Sequence, residues 1–313
     1  MSIADFHCDL LSYLAEDIAR TPYDPESRAS IPLLTEGGVT LQTLAIFTKT
    51  KKGSALSGQA QFQIFRDLPK NYPDVFEKKI KLVLAIENAS SFSEEGEHLE
   101  AAFKRVSHFL KKAGKIAYIS LTWNGENRFG GGSGSRVGLK ADGEKLLEWM
   151  SGKGIAIDFS HTSDRLAQDI FHYIDKRQLK ITPVASHSNF RSISSHERNL
   201  PDEVAKEIVR RGGLIGLNFV RRFLGTEGSS DFLEQLEFAQ NLGVIDHMCL
   251  GADFFDDRDF PKEYDDLRPL FIPGFDTAAC YPKLRELLEE QLHPSELEGL
   301  FHKNLSRFIQ RGS

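Results

Sequence analysis

The sequence has few cysteines, no long apolar run and no basic leader. Its three cysteines, Cys8, Cys249 and Cys280, form no C-x-x-C pair, which excludes a disulfide framework and a zinc finger. No apolar stretch approaches the roughly 20 residues that cross a bilayer. The N-terminal segment MSIADFHCDLL lacks the basic and long apolar parts of a secretion signal. We therefore expect a cytoplasmic protein with no membrane association.

The sequence also lacks the excess of positive charge that would indicate a polyanionic partner. The chain has 39 Lys and Arg against 45 Asp and Glu, which gives a net charge of −6. A pI near 6.0 is not typical of a nucleic-acid binder. Apolar residues make up 40% and charged residues 27%, as in an ordinary soluble globular protein. These values exclude a collagen-like rod, a coiled coil and a disordered acidic tail.

Eight short apolar segments recur along the chain, and amphipathic segments separate them. The apolar segments are 3–7, 39–47, 80–87, 116–122, 154–161, 181–187, 213–219 and 247–253. The helical patterns are 99–112, 143–150, 163–175, 202–211, 231–241, 281–292 and 294–310. Nearly continuous apolar character is typical of parallel strands covered on both faces. Strands that alternate with helices predict βα units, and eight such units close a barrel.

We therefore predict an α/β protein, a single (β/α)8 TIM barrel over residues 1–313 with extra C-terminal helices. A doubly wound open sheet is the alternative. No linker rich in proline, glycine or serine divides the chain. The glycine-rich segment 130–135 (GGGSGS) follows the fourth strand, so we expect a mobile loop beside the active site rather than a domain boundary.

Polar residues end most of these strands, and in such barrels the chemistry lies at the C-terminal strand ends. In strand order, these residues are His7 with Asp9, Glu87, Trp123 with Asn124, His161, His187, Asn218 and Asp253. Because side chains alternate along a strand, His7 and Asp9 share one side and Cys8 faces the helices. A carboxylate such as Glu87 after a fully apolar strand is costly without a partner. The set predicts a metal site.

Charge arithmetic favours two ions. Asp9, Glu87 and Asp253 carry a charge of −3 if ionised, and two divalent cations with a bridging hydroxide neutralise it. A single divalent ion would leave the site negative. Histidine nitrogen and carboxylate oxygen suit zinc best, with manganese or cobalt as alternatives. Two close metals would lower the pKa of a shared water and polarise a carbonyl group.

Several motifs, in order from residue 5 to about residue 256, resemble the membrane (renal-type) dipeptidase family. They are DFHCDLL, AIENA around Glu87, IDFSHTS around His161, PVASHSNFRSISSHERNLPDE over 183–203 and LGADFFD around Asp253. The long central block is the most specific of them. This family consists of zinc-dependent enzymes with an amidohydrolase-like barrel. The resemblance implies hydrolysis of the amide bond of a dipeptide, and similar proteins are often homodimers.

The resemblance also implies a ligand set for the two zinc ions. By this comparison, His7 and Asp9 bind one zinc, and His161 and His187 bind the other. Glu87 bridges both ions, a task that a carbamylated lysine performs in many related barrels.

Further roles follow from the same resemblance. Asp253 lies near the first metal, takes a proton from the bridging water and passes it to the leaving amine. Arg198 in HERNLP binds the C-terminal carboxylate of the substrate, a task suited to a guanidinium group. Where the family has LTHN, this chain has LTWNGEN. Trp123 would therefore contact the substrate with an N–H that donates but cannot carry a proton's charge.

Two other functions stay open. One is a related metal-dependent amidohydrolase that acts on an N-acyl amino acid, a lactone or a phosphoester. The other is a non-catalytic metal-binding barrel in which Trp123 has replaced a required group. Arg221 and Arg222 follow the seventh strand and could reach an acidic substrate, but we expect them to be solvated.

Overall fold

Eight parallel strands form the centre of the computed structural model, which describes residues 2–258 and 262–311. They are β1 (Ile3–Cys8), β2 (Val39–Phe47), β3 (Lys81–Glu87), β4 (Ile116–Ser120), β5 (Ala156–Asp158), β6 (Pro183–Val184), β7 (Ile215–Leu217) and β8 (Met248–Leu250). Their order in the sheet is β6-β5-β4-β3-β2-β1-β8-β7. Ala185 bridges to Ile215 in parallel, and its N–H donates to the carbonyl of Leu214 at 2.9 Å. This contact joins the two ends of the sheet, so the predicted (β/α)8 barrel is confirmed and the doubly wound alternative is wrong.

Helices connect the strands and cover the barrel. They are α1 (Leu10–Glu16), α2 (Ile31–Glu36), α3 (Ser54–Asn71), α4 (Pro73–Phe76), α5 (Leu99–Ala113), α6 (Ala141–Met150), α7 (Asp164–Arg177), α8 (Asp202–Arg210), α9 (Arg221–Leu224), α10 (Ser230–Leu242), α11 (Tyr281–Leu288), α12 (Pro294–Glu298) and α13 (Asn304–Arg311). A π-helical turn, Gly299–Lys303, separates α12 from α13. Within residues 2–258 and 262–311, no helix has the length and apolar character that crossing a bilayer requires.

Two apolar clusters stabilise the barrel. The larger one lies between the strands and the surrounding helices and includes Cys8, as predicted from strand alternation. The smaller one fills the inside of the barrel with strand residues such as Phe6 and Tyr118. Leu305 and Ile309 of α13 join the inner cluster, so this helix closes the N-terminal end of the barrel.

The register of β1 shifts by one residue just before the predicted metal ligands. Asp5 pairs with Gln42, whereas Cys8 pairs with Leu44, so β1 contains one residue more than β2 over this interval. Such a bulge redirects the side chains that follow it. Consecutive residues Phe6 and His7 can therefore both face the barrel interior, with Phe6 in the core and His7 at the mouth.

Candidate metal centre

The six predicted ligands meet at the C-terminal end of the barrel. His7 lies in β1 and Glu87 is the last residue of β3. The other four follow their strands by one to three residues: Asp9 after β1, His161 after β5, His187 after β6 and Asp253 after β8. All six side chains are buried, with exposed fractions of 9% or less. Because parallel strands end at one edge, residues distant in sequence come together there.

Three carboxylates surround the Nε2 atom of His7. This nitrogen lies 3.2 Å from Oε2 of Glu87, 3.5 Å from Oδ1 of Asp253 and 3.9 Å from Oδ2 of Asp9. The other ring nitrogen of His7, Nδ1, lies 2.5 Å from the hydroxyl of Tyr118. The tyrosine holds the ring from below, and Nε2 points at the carboxylates.

A second group of predicted ligands forms on the other side of Glu87. Its Oε1 atom lies 2.9 Å from Nε2 of His161. This nitrogen in turn lies 3.1 Å from Nε2 of His187. The two oxygens of Glu87 therefore face different histidines, Oε2 towards His7 and Oε1 towards His161.

The atoms gathered here fit divalent cations. His7 Nε2 makes no well-aligned hydrogen bond to the carboxylates around it, and the buried Oδ1 of Asp9 has no hydrogen-bond partner at all. Burying such an atom without a partner costs about 1–3 kcal/mol. The ligand atoms of His7, Glu87 and His187 lie within 4.8 Å of one another, and so do those of His7, Asp9 and Asp253. Imidazole nitrogens with carboxylate oxygens are the donor set of zinc and related divalent transition metals.

Two of the predicted ligand residues have an unusual backbone conformation. The φ angle is 67° at His161 and 62° at Asp253, in the left-handed region that residues with a Cβ rarely adopt. Such residues cost of order 1–3 kcal/mol and cluster at functional sites. The turn at each position directs the side chain into the barrel mouth.

The pKa values reflect burial and the crowding of carboxylates. Burial, together with the charges of Asp9 and Glu87, raises the pKa of Asp253 to about 7. Burial and the guanidinium of Arg198 lower the pKa of His161 to about 4. Burial also lowers the pKa of His187 well below its usual range. His161 and His187 are therefore neutral at pH 7, the form that binds a metal.

Asn218 and Arg198 border the ligand cluster. Nδ2 of Asn218 donates to Oδ2 of Asp253 at 2.9 Å, which fixes the orientation of that carboxylate. Arg198 is 5% exposed and donates to the Ser188 hydroxyl at 2.9 Å and to the His187 carbonyl at 3.0 Å. Its Nε is buried and has no hydrogen-bond partner. Arg198 therefore lies next to the cluster with one donor still available.

Trp123 forms an aromatic wall beside the cluster. Its ring centroid lies 6.1 Å from that of His161 and 5.3 Å from that of Phe47. Nζ of Lys49 lies 5.8 Å from the ring centroid of the indole. Arg221 and Arg222, in contrast, are exposed, as expected for solvated side chains.

The glycine-rich segment 130–135 lies against this wall, and its mobility stays a prediction. A Cβ on Gly132 would lie 1.6 Å from the carbonyl oxygen of Trp123, so close backbone packing explains this glycine. The Ser133 hydroxyl donates to Oδ1 of Asn124 at 3.1 Å, and the same oxygen lies 2.8 Å from Nδ1 of His161. The segment thus supports the position of His161 through Asn124.

Sequence reasoning missed Tyr118, whose hydroxyl contacts His7. It lies within the buried strand β4, where the pattern IAYIS predicts only core packing. The hydroxyl group of Tyr118, in an otherwise apolar part of the strand, is the one signal in the sequence that suggests a contact with the site.

A (β/α)8 barrel with buried histidines and carboxylates gathered at its C-terminal end has the arrangement expected of a metal-dependent hydrolase. Residues 1–311 match the model of the family described as membrane dipeptidase (peptidase family M19). The chain belongs to this family of metallopeptidases, and the resemblance noted in the sequence is confirmed.

Individual relatives share less than a third of their aligned residues with this chain. The chain is 29% identical over 209 residues to "Uncharacterized protein in pqqA 5'region" of Klebsiella pneumoniae, which covers 62% of this chain and 72% of that protein. It is 27% identical over 230 residues to dipeptidase verJ of Clonostachys rogersoniana, or 71% of this chain and 54% of that protein. It thus spans about half the length of the Clonostachys relative.

A solved structure shares the fold over the whole chain. It is a metallo peptidase from Rhodobacter sphaeroides liganded with a phosphinate mimic of the dipeptide L-Ala-D-Ala. The TM-score is 0.76 at 17% identity, and the match covers 100% of this chain and 99% of that one.

Proposed function

We propose that this chain is a binuclear zinc-dependent dipeptidase formed by a single barrel domain. Membership of the membrane dipeptidase family supports the reaction class. The observation that carries the two-metal proposal is the position of Glu87. Its Oε2 lies 3.2 Å from His7 and its Oε1 lies 2.9 Å from His161, so one carboxylate serves two groups of ligands.

The proposed ligands divide around this carboxylate. His7 and Asp9 would hold one cation, His161 and His187 the other, and Glu87 would bridge both. When bound, two such cations lower the pKa of a water towards neutrality and polarise the carbonyl that is attacked. Zinc suits the donors best, and other divalent transition metals share this preference.

Asp253 is the proposed proton shuttle. Asn218 donates to its Oδ2, which leaves Oδ1 directed at the cluster, 3.5 Å from Nε2 of His7. A carboxylate held in this position, beside the cluster and oriented by Asn218, can act as a general base and then as a general acid. Asp253 would take a proton from the attacking water and deliver it to the leaving amine.

Arg198 and Trp123 are the proposed substrate contacts. The unpartnered Nε of Arg198 supports binding of the C-terminal carboxylate of a dipeptide. The similar structure from Rhodobacter sphaeroides, which holds a dipeptide mimic, supports this substrate class. The Trp123 indole beside His161 supplies one hydrogen-bond donor and an apolar surface.

Trp123 is also the observation that favours a second candidate, an amidohydrolase acting on another small substrate. An indole in place of a histidine changes the substrate side of the site without changing the ligands. A panel of dipeptides, N-acyl amino acids, lactones and phosphoesters separates the two functions. Fastest turnover on a lactone or a phosphoester would favour the second candidate.

The main test combines metal analysis with one variant. We expect elemental analysis to find about two zinc equivalents per chain and a chelator to abolish dipeptide hydrolysis. Asp253→Asn should retain the metal and lose turnover. A fully active Asp253→Asn enzyme would remove Asp253 from the mechanism. Metal binding without hydrolysis of any amide would support the non-catalytic barrel.

The compartment and the assembly are part of the proposal as well. Cys8, Cys249 and Cys280 are all buried and free, as expected for a reducing cytoplasm. The homodimer suggested by the family resemblance is tested by the sedimentation of purified protein. We propose neither a nucleic-acid nor a membrane partner.

A further inference from the structure

Asp158 ends strand β5 beneath the metal centre and has no part in the mechanism above. Its side chain is fully buried. Four donors surround it: the hydroxyls of Ser120 at 2.6 Å and Ser186 at 2.8 Å, and the backbone N–H groups of Ser160 at 3.1 Å and Ser186 at 2.8 Å. Four donated bonds match the lone-pair positions of a carboxylate, so the environment is that of an ionised acceptor.

Asp158 determines where the Ser186 proton points. The Ser186 hydroxyl oxygen lies 2.8 Å from Oδ2 of Asp158 and 2.7 Å from Nδ1 of His187. A carboxylate can only accept, so the single proton of the hydroxyl goes to Asp158. The oxygen must then accept from His187, which places a proton on Nδ1 of that ring. Nε2 is left with its lone pair directed into the metal centre.

His161, the neighbouring histidine, also carries its proton on Nδ1, and here the acceptor is the side chain of Asn124. Nδ1 of His161 lies 2.8 Å from Oδ1 of Asn124, an oxygen that accepts from the ring. The lone pairs of His161 and His187 therefore face each other across 3.1 Å. Two acceptors at this distance repel unless a cation joins them.

We propose that Asp158 is a positioning residue of the metal centre. Through the Ser186 hydroxyl it keeps the proton of His187 on Nδ1 and makes Nε2 a ligand for the second cation. Partners of this kind, which orient a ligand without touching the metal, typically contribute 10–100-fold to metal affinity. The role in cation binding rests on the proposed function, whereas the proton position on His187 does not.

The first experiment measures the proton position directly. Long-range ¹H–¹⁵N NMR of the metal-free protein, labelled with ¹⁵N-histidine, distinguishes the two neutral forms of the ring. We expect His187 to carry its proton on Nδ1 in the wild type. In Asp158→Asn the new amide donates to Ser186, whose proton then turns to Nδ1, so we expect the His187 proton on Nε2.

The second experiment measures zinc affinity by competition with a chelator. We expect Asp158→Asn to bind the second zinc about 10- to 100-fold more weakly and the first zinc as tightly as the wild type. Ser186→Ala leaves Asp158 its other donors and should lower the affinity for the same zinc ion. If Asp158→Asn does not fold, Ser186→Ala provides the test instead. Ser120→Ala is the matched control, because it removes a donor to Asp158 that does not contact His187, and we expect wild-type affinity.

An unchanged His187 proton position and wild-type zinc affinity in a folded Asp158→Asn or Ser186→Ala variant would overturn the proposal. Failure of the proposed function gives a different result. A wild-type protein that binds fewer than two zinc ions or hydrolyses no dipeptide refutes that function, while the NMR measurement on metal-free protein still tests the hydrogen-bond relay.

Discussion

Gly216 in β7 allows the barrel to close between β6 and β7. Replacing it with alanine should push these two strands apart. An ideal Cβ at this position would lie 1.9 Å from the carbonyl oxygen of Ser186 and 3.1 Å from Cα of Gly251. Ordinary contact begins near 3.4 Å, so the strands must separate by about 1.5 Å. The obstacle is backbone, which cannot rotate away as a side chain can.

The expected loss of stability follows from the backbone hydrogen bonds that this separation breaks. Gly216 N–H donates to the Ala185 carbonyl at 2.7 Å, and Ser188 N–H donates to the Gly216 carbonyl at 2.7 Å. Each such bond contributes about 1 kcal/mol, and overpacking typically costs about 1–3 kcal/mol. We expect Gly216→Ala to lower the free energy of unfolding by about 3–5 kcal/mol, the sum of the two lost bonds and the overpacking. Urea denaturation, monitored by circular dichroism, measures it.

Gly125→Ala provides the matched control. Gly125 is exposed, and an added Cβ there meets no atom within 4 Å. We expect its free energy of unfolding to stay within about 0.5 kcal/mol of the wild type. If Gly216→Ala proved as stable as Gly125→Ala, the steric account of barrel closure would be refuted.

Three further predictions concern the metal centre. In metal-free protein at pH 7, Asp253→Asn should be more stable than the wild type by roughly 2–4 kcal/mol, because burial raises the pKa of Asp253 to about 7 and the unfolded chain releases that proton near pH 4. This advantage should vanish as the pH falls to 4, and an equal difference in urea denaturation at both pH values would contradict the burial argument. Zinc at 100 times its Kd should raise the free energy of unfolding by about 2.7 kcal/mol for each site it fills, and a chelator should reverse the shift in thermal denaturation. Arg198→Ala should raise KM for dipeptides with a free C-terminal carboxylate and leave KM for C-terminal amides unchanged; equal effects on both would exclude the carboxylate contact.

Much of the barrel could be predicted from the sequence, because strand pattern and burial coincide. All eight strands were predicted, although β5 to β8 are only two or three residues long. Five of the seven predicted helices match within two residues. The predicted helix 294–310 is interrupted by the π-helical turn, and the predicted helix 281–292 ends at 288. Helices α1 to α4 and α9 were not predicted.

The candidate site was predictable in composition but not in geometry. Strand ends pointed to the six residues that we propose as ligands, since a polar residue after an apolar run is visible in the sequence. The bulge in β1 and the positive φ angles of His161 and Asp253 correspond to no recognisable pattern in the sequence. The contact of Tyr118 with His7 depends on a neighbour 111 residues away, which the tertiary structure alone supplies.

Helix α13 determines when the barrel interior can be completed during synthesis. Leu305 and Ile309 belong to the inner cluster, and Nδ2 of Asn304 donates to the carbonyl of Met248 at 2.8 Å. All eight strands leave the ribosome before this segment does, so the nascent barrel exposes an open apolar floor until residues 304–311 emerge. Chaperones that bind exposed apolar surface should therefore stay on the nascent chain until this stage.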